Sequence, residues 1–430
     1  MSGRRRRTAT ERPPPGPFHP GFWRSPLRGP WLTSLLGLVL LAGIATLFIT
    51  GLLSYAAYNP DLAGGHNDTT PDSGFLGFVA FAWPTHPVWL YRLTQGVHVI
   101  GGLTLVPVLL AKLWSVIPRL FAWPPVRSPA QLIERASLLL LVGGALFEFV
   151  TGILDIQYWY VFPVRFYDAH FYGAWVFIGA FVVHVGIRLP RMVRTLRSRS
   201  LRKTLRTDAA ATRPEPPDAT GLVTPAPAGA TMSRRGLLGL VAGSSALIAV
   251  LSAGQTVGGP FRRAALLAPR SGPYGSGPNG FAVNKTAAYR GVTRKQTGSS
   301  WRLELRGNRT VRLSRADVLD MPQHTERLPI ACVEGWSTVQ DWTGVRLRDL
   351  AALAGTPGPG SVLVESLQQS GAFGAAVLRR NQILDPASLL ALRVNGGDLS
   401  MDHGYPARVI VPNNPGVHQT KWVSRMSFRS

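Results

Sequence analysis

Only one cysteine, Cys332, occurs in the 430 residues, so the chain can form no internal disulfide. Three uses remain for that thiol: a small buried hydrophobe, a nucleophile, or a thiolate ligand for a soft metal. Charge is also scarce. Charged residues make up 16% of the chain against 46% hydrophobic ones, a balance that leans toward a membrane-embedded part. Acidic residues are the scarcer half, 22 against 46 Lys and Arg, which leaves a net charge of +24. Such a charge invites a nucleic-acid reading, but no nucleic-acid-binding module accompanies it. The excess is clustered instead, at Arg4 to Arg7 and at Arg188, Arg191, Arg194, Arg197, Arg199, Arg202, Lys203 and Arg206. Those runs abut apolar segments, as the cytoplasmic flanks of membrane helices do. A lipid bilayer is therefore the expected partner, and nucleic acid is not.

Five apolar runs reach the roughly 20 residues that a helix needs to cross a hydrocarbon core. They are Trp31–Ala56, Val88–Leu113, Ala136–Leu154, Ala169–Leu189 and Leu237–Val257. Residues 57–90 carry no Lys or Arg but include Asp61, Asp68 and Asp72, whereas 114–135 carry Arg119, Arg127 and Arg135. The loop 156–168 has only Arg165. With Lys and Arg kept inside, the N-terminus is cytoplasmic and the first four helices run up and down as a bundle.

From Thr207 to Thr231 the composition shifts to Ala, Pro, Thr and Asp, which predicts a linker without a core of its own. Met232-Ser-Arg-Arg-Gly-Leu-Leu238 then opens the fifth apolar run. It reads either as a plain positive-inside flank or as a twin-arginine export signal retained as an anchor. Both readings put everything after Val257 outside the cytoplasm. From about Gly272 the period changes. Trp301–Arg306 and Val362–Ser366 alternate like half-buried strands, and Arg408–Pro412 is a short apolar run bounded by proline. Short helices are predicted at Arg315–Leu319 and Arg346–Ala354, which makes this a mixed α+β domain.

The run Ile330 to Leu350, IACVEGWSTVQDWTGVRLRDL, resembles the molybdenum-ligand segment of the sulfite-oxidase-like molybdopterin oxidoreductases. In that family a C-V-E-x-W-S stretch supplies the thiolate bound to molybdenum, which assigns that role to Cys332. Three further segments follow in family order. Phe281-Ala-Val-Asn284 resembles the early stretch whose asparagine contacts the pterin. His403-Gly-Tyr-Pro-Ala-Arg408 resembles the H/N-G-x-P-x-R in which the first residue and the arginine hold the cofactor. Gly416-Val-His-Gln-Thr-Lys-Trp422 resembles the phosphate-side loop, which implies cofactor contacts at Gln419, Thr420 and Lys421. A phosphate needs cationic forks and backbone donors, and Arg408, Lys421 and a glycine-containing loop are of that kind. Glu365, Ser366 and Ser370 line the mouth in one reading and merely end a strand in the other.

Two departures separate the chain from the sulfite-oxidising members. Val283 stands where they carry an arginine in the substrate-anion pocket. The chain also ends at Ser430, without their second, immunoglobulin-like domain. It is closer to the bacterial methionine-sulfoxide reductase catalytic subunits, which are similarly small and use a membrane haem partner.

Histidine within a span is costly and rarely idle. His98 lies in the second span, and His170 and His184 lie in the fourth. Fourteen residues of helix rise about 21 Å and turn nearly four times, so His170 and His184 project from nearly one face at two depths. That spacing resembles the membrane cytochrome b subunits of formate dehydrogenases and hydrogenases. Hydrogen-bonded helix histidines are the plain alternative. By depth His98 matches His170, giving one bis-histidine haem b near the outer face. His184 would serve a second haem, but the first span holds no histidine to complete it, and His19 precedes that span by a dozen residues. Glu148 in the third span marks a quinol site, a proton path, or a carboxyl bonded to a neighbouring helix.

The fold expected is multidomain. A basic cytoplasmic N-terminus (1–30) precedes an α-helical transmembrane four-helix bundle resembling cytochrome b (31–189). A basic segment and Pro/Ala-rich linker (190–231) lead to one anchor helix (232–258). An α+β sulfite-oxidase-type molybdopterin domain (272–430) completes the chain. The function expected is oxygen-atom transfer, as reduction of an S-oxide or similar substrate, at an extracytoplasmic molybdenum-molybdopterin centre linked through haem b to the quinone pool. An anchored sulfite oxidase with inert helices and a non-catalytic membrane scaffold are the alternatives. Cys332, Arg408 and Lys421 speak against the scaffold, and the intramembrane histidines and Val283 against the anchored oxidase.

Overall fold

The computed structural model describes residues 13–58, 81–126, 128–157, 161–163, 166–217, 221–270, 272, 274–369, 371 and 373–430. Arg4 to Arg7, Asp61, Asp68, Asp72, Arg127, Arg165 and Ser370 lie outside the described residues. Among the described residues, five helices are long and apolar enough to cross a membrane. They are α1 (Pro30–Ala57), α2 (Leu90–Leu120), α3 (Pro129–Asp155), α4 (Phe166–Arg197) and, after the short α5 (Leu201–Arg206), α6 (Arg234–Val257). Four of them contain a whole apolar run; α2 starts at Leu90, two residues inside the run Val88–Leu113, and continues past its end to Leu120. Proline at the first position starts α1 and α3, where its missing N–H costs nothing. Arg194 and Arg197 close α4, where cations meet the negative end of the helix dipole.

The chain divides into two compact units. The first takes Met1–Phe48, Gly101–Asp155 and Val161–Ala249. In it α3 and α4 pack closely, with Phe177 buried against Gly144. Thr207 to Ser233 form no helix or strand among their described residues, yet the segment is tied down. The Glu215 carboxylate accepts from the Trp31 N–H at 2.9 Å, an anion at the start of α1. Arg234 is buried and donates to the Pro26 carbonyl at 3.0 Å, while its neighbour Arg235 is exposed.

The second unit takes Ile49–Ile100, Ile156–Tyr160 and Val250–Ser430. Residues 81–100 belong with the C-terminal domain because they bond to it directly. Asn413 is the clasp: its carbonyl accepts from Trp83 Nε1 at 2.9 Å, its Oδ1 from the Tyr91 N–H at 2.6 Å, and its Nδ2 donates to the Pro84 carbonyl at 2.7 Å.

The domain itself holds two five-stranded sheets. In chain order its elements are α7 (Arg294–Thr297), β1 (Leu303–Arg306), β2 (Thr310–Leu313), α8 (Arg315–Asp320), β3 (His324–Ala331), β4 (Ser337–Arg346), α9 (Leu347–Leu353), β5 (Ser361–Ser366), β6 (Ala375–Arg379), α10 (Arg380–Leu384), β7 (Leu389–Val394), β8 (Gly397–Asp398), β9 (Arg408–Ile410) and β10 (Val423–Arg429). One sheet runs β2-β1-β10-β5-β6, with β1 and β10 parallel. The other runs β3-β4-β7-β8, with β9 on β7. Alternate residues of these strands, among them Leu303, Leu305, Val362, Val364, Leu390 and Met426, meet Leu347 and Leu350 of α9 in the main core. Each such side chain contributes about 1.5–3 kcal/mol on burial. A second core of Phe281, Leu328, Ile330, Trp336, Trp342 and Ile410 surrounds Cys332.

Candidate active site

Cys332 follows the last residue of β3, and β4 begins five residues later, so the thiol sits in the tight connection of an antiparallel pair. The turn closes through Cys332 N–H to the Trp336 carbonyl at 2.8 Å and Gly335 N–H to the Cys332 carbonyl at 3.0 Å. Gly335 has a φ of +88° and packs so closely on Val99 of α2 that a Cβ would stand 2.8 Å from it. Gln95 Nε2, one turn earlier on α2, donates to the Val333 carbonyl at 2.5 Å. From the other side the Thr256 carbonyl of α6 accepts from Ser337 Oγ at 2.7 Å.

A buried ion pair braces the same turn. Arg270 holds Glu334 through two bonds of 2.8 and 2.9 Å, and Trp336 Nε1 donates to the carboxylate at 3.0 Å. Its third arm donates to the Val283 carbonyl at 3.0 Å, joining the Phe281–Asn284 segment to the cysteine turn. Burial works against the Arg270 charge, but the hydrogen-bonded Glu334 carboxylate outweighs it and leaves the guanidinium above its ordinary value. Burial, with Glu334 adding to it, pushes the Cys332 thiol well above its usual range.

Cys332 lines a cavity that also touches Asn284, His403, Arg408, Gln419, Thr420 and Lys421. The four separated segments thus converge on one place. A parallel bridge from Ala331 to Pro415 brings the 416–421 loop beside the cysteine strand. Gly416 permits that approach, since a Cβ there would lie 3.2 Å from the Ala331 carbonyl. His403 stacks on Phe281 with ring centroids 3.8 Å apart, and its Nε2 faces the Asn279 carbonyl at 3.0 Å, which sets the tautomer with the proton on Nε2. Arg408 is buried and donates to the carbonyls of His403 at 3.0 Å and Gln419 at 3.1 Å, bracing both loops. Lys421 Nζ likewise donates to the carbonyls of Lys285 and Asp402 at 2.6 and 2.8 Å.

Four cations, Lys285, Arg290, Arg408 and Lys421, line the cavity, and no carboxylate does among the described residues. Burial lowers Arg408 to about 9. Burial and then the Arg408 charge lower His403 to about 3 and drive Lys421 well below its ordinary value. Arg408 Nε, Gln419 Oε1 and Thr420 Oγ1 are buried without a hydrogen-bond partner. A cationic cavity with orphaned polar atoms and a soft thiol at its wall fits a phosphate-bearing, amide-rich cofactor and a soft metal. Glu365 and Ser366 do not line it. Glu365 pairs with Arg425 at 3.2 Å, and Ser366 Oγ donates to the Lys421 carbonyl at 2.7 Å.

The histidines of the long apolar helices have partners of a common kind. Thr50 Oγ1 lies 3.2 Å from His98 Nδ1, and Thr151 Oγ1 lies 3.1 Å from His170 Nδ1. Glu148 Oε2 adds a second contact to His170 Nδ1 at 3.1 Å. His184 lies within electrostatic reach of Lys112. Sequence reasoning missed the two threonines, although the matching stretches Phe48-Ile-Thr-Gly-Leu-Leu53 and Phe149-Val-Thr-Gly-Ile-Leu154 carry the signal. It also missed Arg270, whose only herald is the uncompensated Glu334 within the cysteine motif.

Residues 290–430 match the family described as oxidoreductase molybdopterin binding domain. Among curated relatives, the nitrate reductase (NAD(P)H) of Hordeum vulgare is 40% identical over 95 residues, 20% of this chain and 10% of that protein. The mitochondrial sulfite oxidase of Mus musculus is 31% identical over 150 residues, 29% of this chain and 28% of that one. The uncharacterized oxidoreductase YuiH of Bacillus subtilis is 29% identical over 133 residues, 30% of this chain and 66% of that one. The chain thus spans 10%, 28% and 66% of these three relatives.

Proposed function

Residues 290–430 form a molybdopterin-binding oxidoreductase domain of the sulfite-oxidase type, and from that premise we propose a membrane-bound molybdenum oxidoreductase fed by quinol. The first four long helices would form a haem b bundle in which His98 and His170 would hold the haem, and His184 would serve only a second haem. The domain would lie outside the cytoplasm, as the arginine-rich ends of α4 and α6 favour. The reaction is reduction of an S-oxide or similar small oxo substrate: one oxygen atom leaves as water, taking up two protons and two electrons.

The observation that carries this reading is the seat of the Cys332 turn on α2. Gln95 Nε2 bonds the residue after the cysteine, and Val99, next to His98, packs on Gly335. A redox group on His98 would therefore be a short, packed path from the thiol. Inert anchoring helices have no need of that contact.

Bound molybdenum-molybdopterin would supply two-electron oxygen-atom transfer, which no side chain here can provide. Cys332 would hold the metal as thiolate. A thiol this buried does not ionise against water, so its proton leaves only on metal binding. Arg408 and Lys421 would take the phosphate, whose charge offsets the burial that depresses theirs. Asn284, His403, Gln419 and Thr420 would meet the pterin edge. Arg270 cannot replace the anion-binding arginine absent at Val283, because Glu334 already neutralises it. That favours a neutral oxo substrate over sulfite.

Metal and haem analysis of the purified protein, with turnover driven by quinol or by a soluble reducing dye, tests the reading. His98→Ala should abolish dithionite-reducible haem b and quinol-driven turnover while sparing the dye-driven reaction. If that variant keeps both haem and quinol turnover, or if sulfite is the best substrate, the reading fails.

A further inference from the structure

The helical region contains one arrangement twice. The residue after each threonine is a glycine, Gly51 or Gly152, and a Cβ on either would stand 3.2 Å from Cε1 and 3.6 Å from Nδ1 of its histidine. Three residues beyond each histidine is another glycine, Gly101 or Gly173. Each of these faces the residue three before the threonine: Gly101 faces Leu47, and a Cβ on Gly173 would collide with Glu148 Oε1. Five pairs of positions therefore correspond with constant offsets, 101 between α1 and α3 and 72 between α2 and α4. Chance apolar helices have no reason to keep both the threonine–histidine distance and the glycine contacts.

The offset of 72 also identifies the counterpart of His184, which is Lys112. Lys112 Nζ donates to the Thr33 carbonyl at 2.6 Å. An ammonium has three donors and no lone pair, so it cannot ligate iron while so engaged. The outer pair of equivalent positions is histidine in both repeats, and the inner pair is histidine in only one.

Resting on the haem reading above, we infer that Thr50 and Thr151 are positioning residues that hold His98 and His170 for haem iron, and that Lys112 closes the level of His184, so that His184 serves no haem. Thr151 Oγ1 donates to the Phe147 carbonyl at 2.7 Å, so toward His170 it accepts. The imidazole proton is then on Nδ1, and iron is bound through Nε2. Accepting from Nδ1–H makes the imidazole a stronger donor and favours ferric iron. Glu148 reinforces this at His170, where the first repeat has Leu47.

The test uses the full-length protein in detergent, with haem counted per chain as the pyridine haemochrome and midpoint potentials taken by optical redox titration. Wild type should hold one haem b and titrate in a single one-electron step. His184→Leu should retain that haem at the same potential. Thr50→Val and Thr151→Val should keep the haem at a raised potential, with Thr→Ser at either site returning it to the wild-type value. Two haems per chain, loss of haem in His184→Leu, or unmoved potentials in both valine variants would overturn the inference while leaving the haem reading intact. Absence of haem from wild type would overturn the reading itself.

Discussion

Glu334→Gln isolates the brace beneath the cysteine. The substitution keeps the shape of the side chain and one acceptor for Trp336 Nε1, but leaves the Arg270 guanidinium buried without its counter-charge. Only 2% of the Arg270 side chain is exposed, so water cannot take the place of the carboxylate. Removing one partner of such a pair costs about 3–5 kcal/mol. For a domain of roughly 160 residues each kcal/mol shifts Tm by about 2–4 °C, which gives a fall of roughly 6–20 °C. Thermal unfolding of the full-length protein, followed by tryptophan fluorescence, reads the shift. The double variant Arg270→Met, Glu334→Leu removes both charges together and should recover most of the loss. A fall of under about 1 kcal/mol in Glu334→Gln, or a double variant no better than the single one, would refute the reasoning.

Four further outcomes follow from the same geometry. Cys332→Ser should leave haem and fold intact but abolish turnover, since a hydroxyl is a poor ligand for a soft metal; activity with bound molybdenum would contradict it. Thr420→Val removes a hydroxyl that has no partner in the fold, so Tm should hold or rise, while molybdopterin retained through dialysis falls. Reporter fusions at Pro216 and after Ser430 should report opposite sides of the membrane. His418 is fully buried with neither ring nitrogen bonded, and burial lowers it to about 4. The unfolded state therefore binds more protons below its ordinary value of 6.5, and stability read by chemical denaturation should fall from there down to about pH 4. A His418→Phe variant should lose that slope.

Apolar length and motif order were the legible parts. The five helices overlie the five apolar runs, α2 only from Leu90 on, because a 20-residue run has few alternatives to helix. Their ends were harder: α2 continues to Leu120, past Lys112 and through Pro118, where composition had suggested a stop near Leu113. Strand β1 begins at Leu303 rather than Trp301, and two of the ten strands among the described residues, β1 and β5, are anticipated by alternation. Strand β10 escaped notice because its arginines alternate with Val423, Met426 and Phe428 out of step, across a bulge between Val423 and Arg425. Arg270 was beyond local reading, since 64 positions separate it from Glu334. The division of the chain also differs from a plain bundle-then-domain order. Asn413 and the Cys332 turn draw 49–100 into the C-terminal unit, a long-range effect that no window of sequence contains.

Electron flow between haem and thiolate-bound metal within one chain is the central claim to test. The direct measurement is stopped-flow re-oxidation of dithionite-reduced haem b, with excess reductant removed, on mixing with methionine sulfoxide. Wild type, whose molybdenum would be reduced together with the haem and supply the further electron, should re-oxidise its haem and release methionine, and Cys332→Ser should hold the reduced haem unchanged. Re-oxidation at equal rates in both proteins, or none in wild type loaded with molybdenum and haem for any S-oxide or N-oxide tried, would contradict it.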